Sequence, residues 1–204
     1  MTDVQTVHLI DDDASIRDAL VLLLSLRGIS VSAYESADAA LEHMDTALRG
    51  CVISDLRMPG KDGLEFMRVM RERGIKVPII MLTAHGDVAT TRAALRGGAF
   101  DFLEKPIDED ILMDVIRHAL DEDDSQHTKR LEKDEKRERI ARLTKRELQV
   151  MTLLGRGFQN REIAASLAIS PRTVEVYKAR MMEKLHCETI ADVVKMSLIL
   201  DAAI

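Results

Sequence analysis

Residues 7–12 read Val7-His8-Leu9-Ile10-Asp11-Asp12, a short apolar run that closes on two adjacent acids. Three further runs in the first half end in a similar way. Cys51-Val52-Ile53-Ser54 leads to Asp55, Val77 through Leu82 leads to Thr83, and Phe100-Asp101-Phe102-Leu103-Glu104 leads to Lys105. Such runs read as buried strands where helical patterns alternate with them. In a doubly wound sheet the carboxyl ends of the strands converge on one crevice, and ligands bind there. The pattern predicts that three carboxylates, a hydroxyl and an ammonium meet in one cleft. Such a set suits a divalent cation and a phosphoryl group.

The segments between these runs fit helices. Ile16, Leu20, Leu23 and Leu24 recur at helical spacing before Gly28, and Val31–Tyr34 reads as a short second strand. Ser36 is placed to cap a helix running to about Leu48. Leu64, Met67 and Met70 mark another, ending near Gly74, and Asp87 to Arg96 a fourth, stopped by Gly97-Gly98. Asp108 caps a fifth, carried by Ile111, Val115 and Ile116. Five strand–helix units predict an α/β domain over residues 1–120, a doubly wound five-stranded parallel sheet with helices on both faces.

Composition supports a globular chain. Its 204 residues are 46% hydrophobic and 31% charged, enough for one or two domains. Aromatics are 3% and Trp is absent, so the cores must be aliphatic and methionine-rich. No apolar run approaches a membrane span, and Met1-Thr2-Asp3-Val4 lacks the basic start of a secretion signal. Cys51 and Cys187 lie far apart and read as reduced thiols, which places the chain in the cytoplasm as an expectation.

Charge is unevenly spread. Residues 1–120 carry 13 Lys/Arg against 20 Asp/Glu, whereas residues 144–204 carry 9 against 7. An acidic half and a mildly basic half predict two modules with different partners. Residues 121–143 between them have few apolar positions. Glu132 with Lys136, Glu135 with Arg139 and Glu138 with Arg142 stand four apart, acid first, the order that supports an exposed helix. This segment is predicted to be a charged, solvated helical linker. Leu131 and Ile140 are too few for a coiled coil.

From residue 144 on only short helices are predicted, forming a small all-α domain. Thr144 with Glu147 fits a capping box. Asn160 caps a helix with Ile163, Ala164 and Leu167. After a tight turn, Ser170 caps the next helix with Pro171 at its first position, and Thr189 caps the last. Two short helices joined by a tight turn, the second rich in exposed polar groups, form the helix-turn-helix signature.

These motifs carry a resemblance. Asp11-Asp12, Asp55 in SDLRMPG, Thr83 and Lys105-Pro106 in LEKP resemble the receiver domain of two-component response regulators, with its flavodoxin-like fold. LTKRELQVMTLLGRG, NREIA and SPRTVEVYKARMMEKL resemble the LuxR-type helix-turn-helix. Together they cover nearly the whole chain and are similar to the FixJ-like subfamily. Taken singly the residues are ambiguous. Asp11 reads equally as a turn or cap, Asp55 as the start of the Leu56–Gly60 turn, and Lys105 as surface. The joint pattern decides.

The resemblance implies a phosphoprotein with Asp55 as the phosphoryl acceptor. An Asp carboxylate is a competent nucleophile for phosphorus, and phosphoryl transfer is mostly positioning and charge neutralisation. Mg²⁺ suits such a site. Asp12 and Asp55 are its expected direct carboxylate ligands, with Asp11 acting through water. The resemblance adds the backbone carbonyl of Arg57. Lys105 and Thr83 would bind phosphate oxygens, and Asp13 would point away. Phe102 matches the family's aromatic switch position and reads equally as a core residue on its strand; Thr83 is the other switch residue. The partners implied are a sensor histidine kinase, promoter DNA as an inverted repeat, RNA polymerase, and a second copy that pairs on phosphorylation through residues 87–119.

The helix over about 171–185 is predicted to enter the major groove. Arg172, Lys178 and Arg180 are basic on or beside it, and Arg161 is placed for a phosphate. Thr173, Val176 and Tyr177 sit in the first two turns, where base edges are reached. Val174, Met181 and Leu185 face inward, and Lys184 reads as solvated. Tyr177 stands where related proteins often have His, and Glu175 where many have Lys. Two rival functions remain. A regulator working without phosphorylation usually lacks part of the acid–Thr–Lys set. Haloacid-dehalogenase-like phosphatases need a second Asp two residues after the first, where this chain has Arg57.

Overall fold

The computed structural model describes residues 5–84 and 96–201. The helix predicted from Asp87 lies outside them, except for its last position, Arg96. The chain divides into two compact units, residues 1–126 and 127–204.

The first unit is an α/β layer structure. Its strands are β1 (Thr6–Ile10), β2 (Val31–Tyr34), β3 (Gly50–Asp55), β4 (Ile79–Thr83) and β5 (Asp101–Glu104). They form one sheet in the order β2-β1-β3-β4-β5, and every pairing is parallel. The central strands are buried along nearly their whole length, as expected of strands covered on both faces. One face is a core of Ile10, Val52, Phe66, Met70, Ile79 and Met81, among others. The other holds Leu9, Leu24, Ile53, Ile80, Leu82, Leu112 and Ile116. Alternation along each strand sends neighbouring residues to opposite cores.

Around the sheet lie α1 (Ala14–Leu26), α2 (Ala37–Leu41), α3 (Gly63–Glu72) and α4 (Glu109–Ala141). Asp13 caps α1, accepting from Ser15 and Ile16 N–H, and so points out of the cleft as expected. Ser36 caps α2, but that helix ends at Leu41 and not near Leu48. Just beyond, Asp45 accepts from the Ala47 N–H at 2.8 Å, a local bond that competes with helix continuation. Helix α4 runs unbroken through the charged segment. The expected solvated character fails at Asp123, which is buried and bonded to Arg49 and Gly50. Gly50 itself has φ +105°, and a Cβ there would stand 2.0 Å from the Thr6 carbonyl oxygen, so the close approach of β1 and β3 demands glycine.

The second unit contains α5 (Lys145–Gly155), α6 (Asn160–Leu167), α7 (Pro171–Leu185) and α8 (Ile190–Asp201) around a core that includes Val150, Met151, Ile163, Val174, Met181, Leu185 and Val193. The Thr144–Glu147 capping box is present, Ser170 caps α7 above Pro171, and Thr189 caps α8 through the Asp192 N–H. Helix α6 starts differently: Gln159 holds the cap position, its N–H donating to Glu162, and Asn160 is the first helical residue. Lys184, expected to be solvated, donates to the buried Glu147 at 2.7 Å. Burial pushes the Glu147 carboxyl up, but bonds from Lys184 and Thr144 outweigh it and hold the group below the ordinary carboxylate value.

Candidate functional site

The strand order places the carboxyl ends of β1, β3, β4 and β5 side by side, and in this topology the crevice opens where chain order reverses, between β1 and β3. Asp11 and Asp12 leave β1 there, and Asp55 closes β3. One carboxylate oxygen from each lies within 4.8 Å of the other two. Asp11 is fully buried, Asp55 nearly so, and Asp12 is exposed at the mouth. Clustered hard oxygen donors with one open side fit Mg²⁺, which keeps several waters and takes few protein ligands.

Lys105, just past β5, reaches into the same cleft. Its Nζ donates to Asp11 Oδ2 at 2.7 Å and stands 3.3 Å from Asp55 Oδ1. The Lys105 N–H donates to the Thr83 carbonyl at 2.7 Å, which ties the end of β4 to the Lys105-Pro106 loop. Thr83 is buried at the strand end. Burial pushes the Asp55 carboxyl above its ordinary value; Lys105 pulls it down and Asp11 pushes it up, and the net shift is upward. Burial alone would lower the Lys105 ammonium, but Asp11 and Asp55 more than reverse that. The cleft therefore holds a carboxylate that is poorly neutralised and a cation that stays charged.

Two supports of the cleft were not read from the sequence. Arg17, one turn into α1, donates through Nη1 to the backbone carbonyls of Asp11 at 2.8 Å and Asp12 at 3.2 Å. It thereby fixes the loop that presents both acids. A basic residue six positions after the first acid was the only available signal. Gly63 lets α3 start against the site, since a Cβ there would meet the Asp55 carbonyl oxygen at 2.6 Å. Arg57 follows Leu56 in the loop leaving β3 and is exposed. Phe102, on β5 opposite Met81, packs partly buried against the core that contains Met81.

In the second unit, Val174, Met181 and Leu185 are buried as expected. Arg172, Val176 and Arg180 are exposed, and Arg161 lies exposed near the start of α6. Thr173 is partly buried beside Ser170 Oγ. Tyr177 is partly buried against the core. Lys178 has its side chain only 15% exposed and donates to Asn160 Oδ1 at 3.2 Å, so it braces α6 against α7.

Comparison with known proteins agrees with both units. The response regulator receiver domain matches residues 7–117, and the bacterial regulatory proteins of the luxR family match residues 141–197. The chain belongs to the response-regulator family and carries a LuxR-type DNA-binding domain. It is 40% identical to the transcriptional regulatory protein FixJ of Azorhizobium caulinodans over 197 residues, covering 97% of this chain and 93% of that one. Against FixJ of Bradyrhizobium diazoefficiens it is 38% identical, covering 97% of each. Among solved structures, the response regulator StyR aligns with TM-score 0.82 at 36% identity, covering 95% of this chain and 98% of StyR. Full-length FixJ from B. japonicum aligns with TM-score 0.58 at 37% identity, covering 96% of each chain. The chain is a FixJ-like DNA-binding response regulator. Among the described residues no helix is long and apolar enough to cross a membrane.

Proposed function

We propose that this chain is switched by phosphorylation of Asp55, received from a partner sensor histidine kinase, and that the modified chain pairs with a second copy and regulates transcription at an inverted-repeat promoter site, acting on RNA polymerase. The convergence of Asp11, Asp12, Asp55 and Lys105 in one cleft carries this reading.

Asp11, Asp12, Asp55 and the Arg57 carbonyl would hold Mg²⁺, which neutralises charge between carboxylate and phosphate. Asp55 supplies the lone pair that forms the new O–P bond. The donor's bond to phosphorus breaks, and the electron pair leaves with the donor. Lys105 is placed to pair with a phosphate oxygen without a large movement, because its ammonium already stands beside Asp55. Thr83 donates its hydroxyl to another oxygen. The acylphosphate carries about −1.5 to −2 charge where the free Asp55 carboxylate carried about −1, together with three acceptor oxygens. Drawing Thr83 toward it vacates space beside β5 for Phe102, and the surface over 87–119 responds. Part of that surface lies outside the described residues. Arg161, Arg172 and Arg180 would contact phosphates, with Lys178 behind them; Thr173, Val176 and Tyr177 would contact bases.

Intact-mass measurement after incubation with acetyl phosphate and Mg²⁺ tests the acceptor. Wild type should gain one phosphoryl group and Asp55→Asn none. A stable adduct on the variant would overturn the assignment. Size-exclusion chromatography with and without beryllofluoride tests pairing, and an unchanged elution volume counts against it.

A further inference from the structure

We propose that Glu175 is a specificity-determining residue, whose carboxylate accepts a hydrogen bond from the exocyclic amine of a cytosine in the major groove. This rests on the reading of α7 as the groove helix.

Past Pro171 at its first position, the exposed positions of α7 form one stripe, Arg172, Glu175, Val176, Ala179, Arg180 and Glu183. Their spacing of three and four marks a single helix face, opposite the buried Val174, Met181 and Leu185. Glu175 thus lies on the outward face, in the early turns from which base edges are reached. Its side chain is 58% exposed, yet it is not a loose surface acid. Asn160 Nδ2, on α6, donates to Glu175 Oε1. Lys178 Nζ stands 3.5 Å from the same oxygen and donates to Asn160 Oδ1. The trio spans both helices of the motif. Both contacts fall on Oε1, so Oε2 is left for an external donor.

An acid fixed in this place is repelled by phosphates and lowers affinity for any sequence. It gains only where a base offers a donor. Cytosine presents the N4 amine, whereas guanine presents acceptors and thymine an acceptor and a methyl group. Adenine has an amine, but its neighbouring N7 acceptor repels a carboxylate. Cytosine is therefore the favoured base, and the braced side chain loses little freedom on contact.

Selection of bound duplexes from a random pool tests this, using the full chain with acetyl phosphate and Mg²⁺. Wild type should enrich sites with cytosine at one position of each half-site. Glu175→Gln retains an acceptor for Asn160 but removes the charge. It should lose that cytosine preference by about tenfold and gain adenine, the base an amide pairs with, while other positions stay unchanged. Glu183→Gln should keep the wild-type preference. If Glu175→Gln unfolds, Glu175→Asp keeps the charge but shortens the reach, and loss of the cytosine preference is again expected. A Glu175 variant that still selects cytosine, even while binding all sequences more tightly, overturns the inference alone. A wild-type chain with no base preference at any position overturns the groove-helix reading with it.

Discussion

Arg49 donates through Nε to Asp123 Oδ2 at 2.8 Å across a sequence separation of 74 residues. The side chains are 11% and 8% exposed, and the Gly50 N–H gives the same oxygen a second bond at 3.0 Å. Just before Asp123 on α4, the Leu120 carbonyl accepts from Gln5 at 2.7 Å. These bonds fasten α4, beyond its apolar face, to the amino ends of β1 and β3. Asp123→Ala leaves the Arg49 Nε–H and the Gly50 N–H without their acceptor, while Asp124 still holds Arg49 Nη2 at 2.6 Å, and should cost about 2 kcal/mol, as for buried donors left unsatisfied. Glu122→Ala, one residue away, should fall within about 0.5 kcal/mol of wild type. Urea unfolding of the full chain measures both, and equal midpoints for the two variants would refute the anchor.

Because its carboxyl titrates above the unfolded value, Asp55 binds a proton more readily in the folded chain than in the unfolded one. Its stabilising effect is therefore present at low pH and is lost as pH rises from the ordinary carboxylate range through the folded value. At pH 7 without divalent cations, Asp55→Asn should melt a few degrees above wild type. Mg²⁺ at about a hundred times its dissociation constant should stabilise wild type by about 2.7 kcal/mol, and the variant by less. Calorimetry with and without Mg²⁺ checks this. A variant that melts below wild type in the absence of cations contradicts the account.

In the proposed function Arg17 would act on the cation through the Asp11 and Asp12 carbonyls it holds. Partners of this kind typically change metal affinity about 10- to 100-fold when removed. Arg17→Ala should weaken Mg²⁺ binding by about tenfold in a calorimetric titration, and Arg17→Lys should recover part of the loss by retaining one donor. Unchanged affinity in Arg17→Ala would show that the loop keeps its shape unaided.

His8 sits on β1 beneath Tyr34, ring centroids 6.4 Å apart, with Nε2 3.4 Å from the Arg49 carbonyl and Nδ1 buried without a hydrogen-bond partner among the described residues. Burial lowers its pKa from the ordinary 6.5, with the Arg49 bond opposing. The unfolded chain then takes up the proton first, so His8 supports stability above pH 6.5 that is lost as pH falls through the lowered folded value. Wild type should lose urea midpoint between pH 7.5 and 5.5, and His8→Leu should lose less over the same interval. Parallel slopes would assign the acid sensitivity elsewhere.

The cleft was legible because its acids and Lys105 each end a strand run, and period and spacing report strand ends directly. Helix starts were legible at Ser36, Thr144, Ser170 and Thr189 for the same local reason: a cap is chosen by residues two or three away. Asn160 misled because an amide at a helix start reads as a cap, whereas here it turns to Glu175 and Lys178 on another helix. Lys184 and Asp123 looked solvated because their partners, Glu147 and Arg49, stand 37 and 74 residues away. The end of α2 was missed for the opposite reason, since one Asx turn at Asp45 outweighed an acceptable helical pattern.

The cleft also has a charge count. Asp11, Asp12 and Asp55 against the one ammonium of Lys105 leave two negative charges, and a single divalent cation cancels them. A monovalent ion leaves a deficit, and an approaching phosphodonor without the cation meets a net-negative surface. With a cation in place that barrier would disappear, so under the proposed function modification requires cation and phosphodonor together. Once an acylphosphate forms, its charge of about −1.5 to −2 replaces the −1 of the Asp55 carboxylate, electroneutrality is broken again by roughly one negative charge, and the modified state becomes the electrically unbalanced one. Its lifetime should therefore shorten in any variant that adds a further acid to the rim and lengthen in one that adds a base.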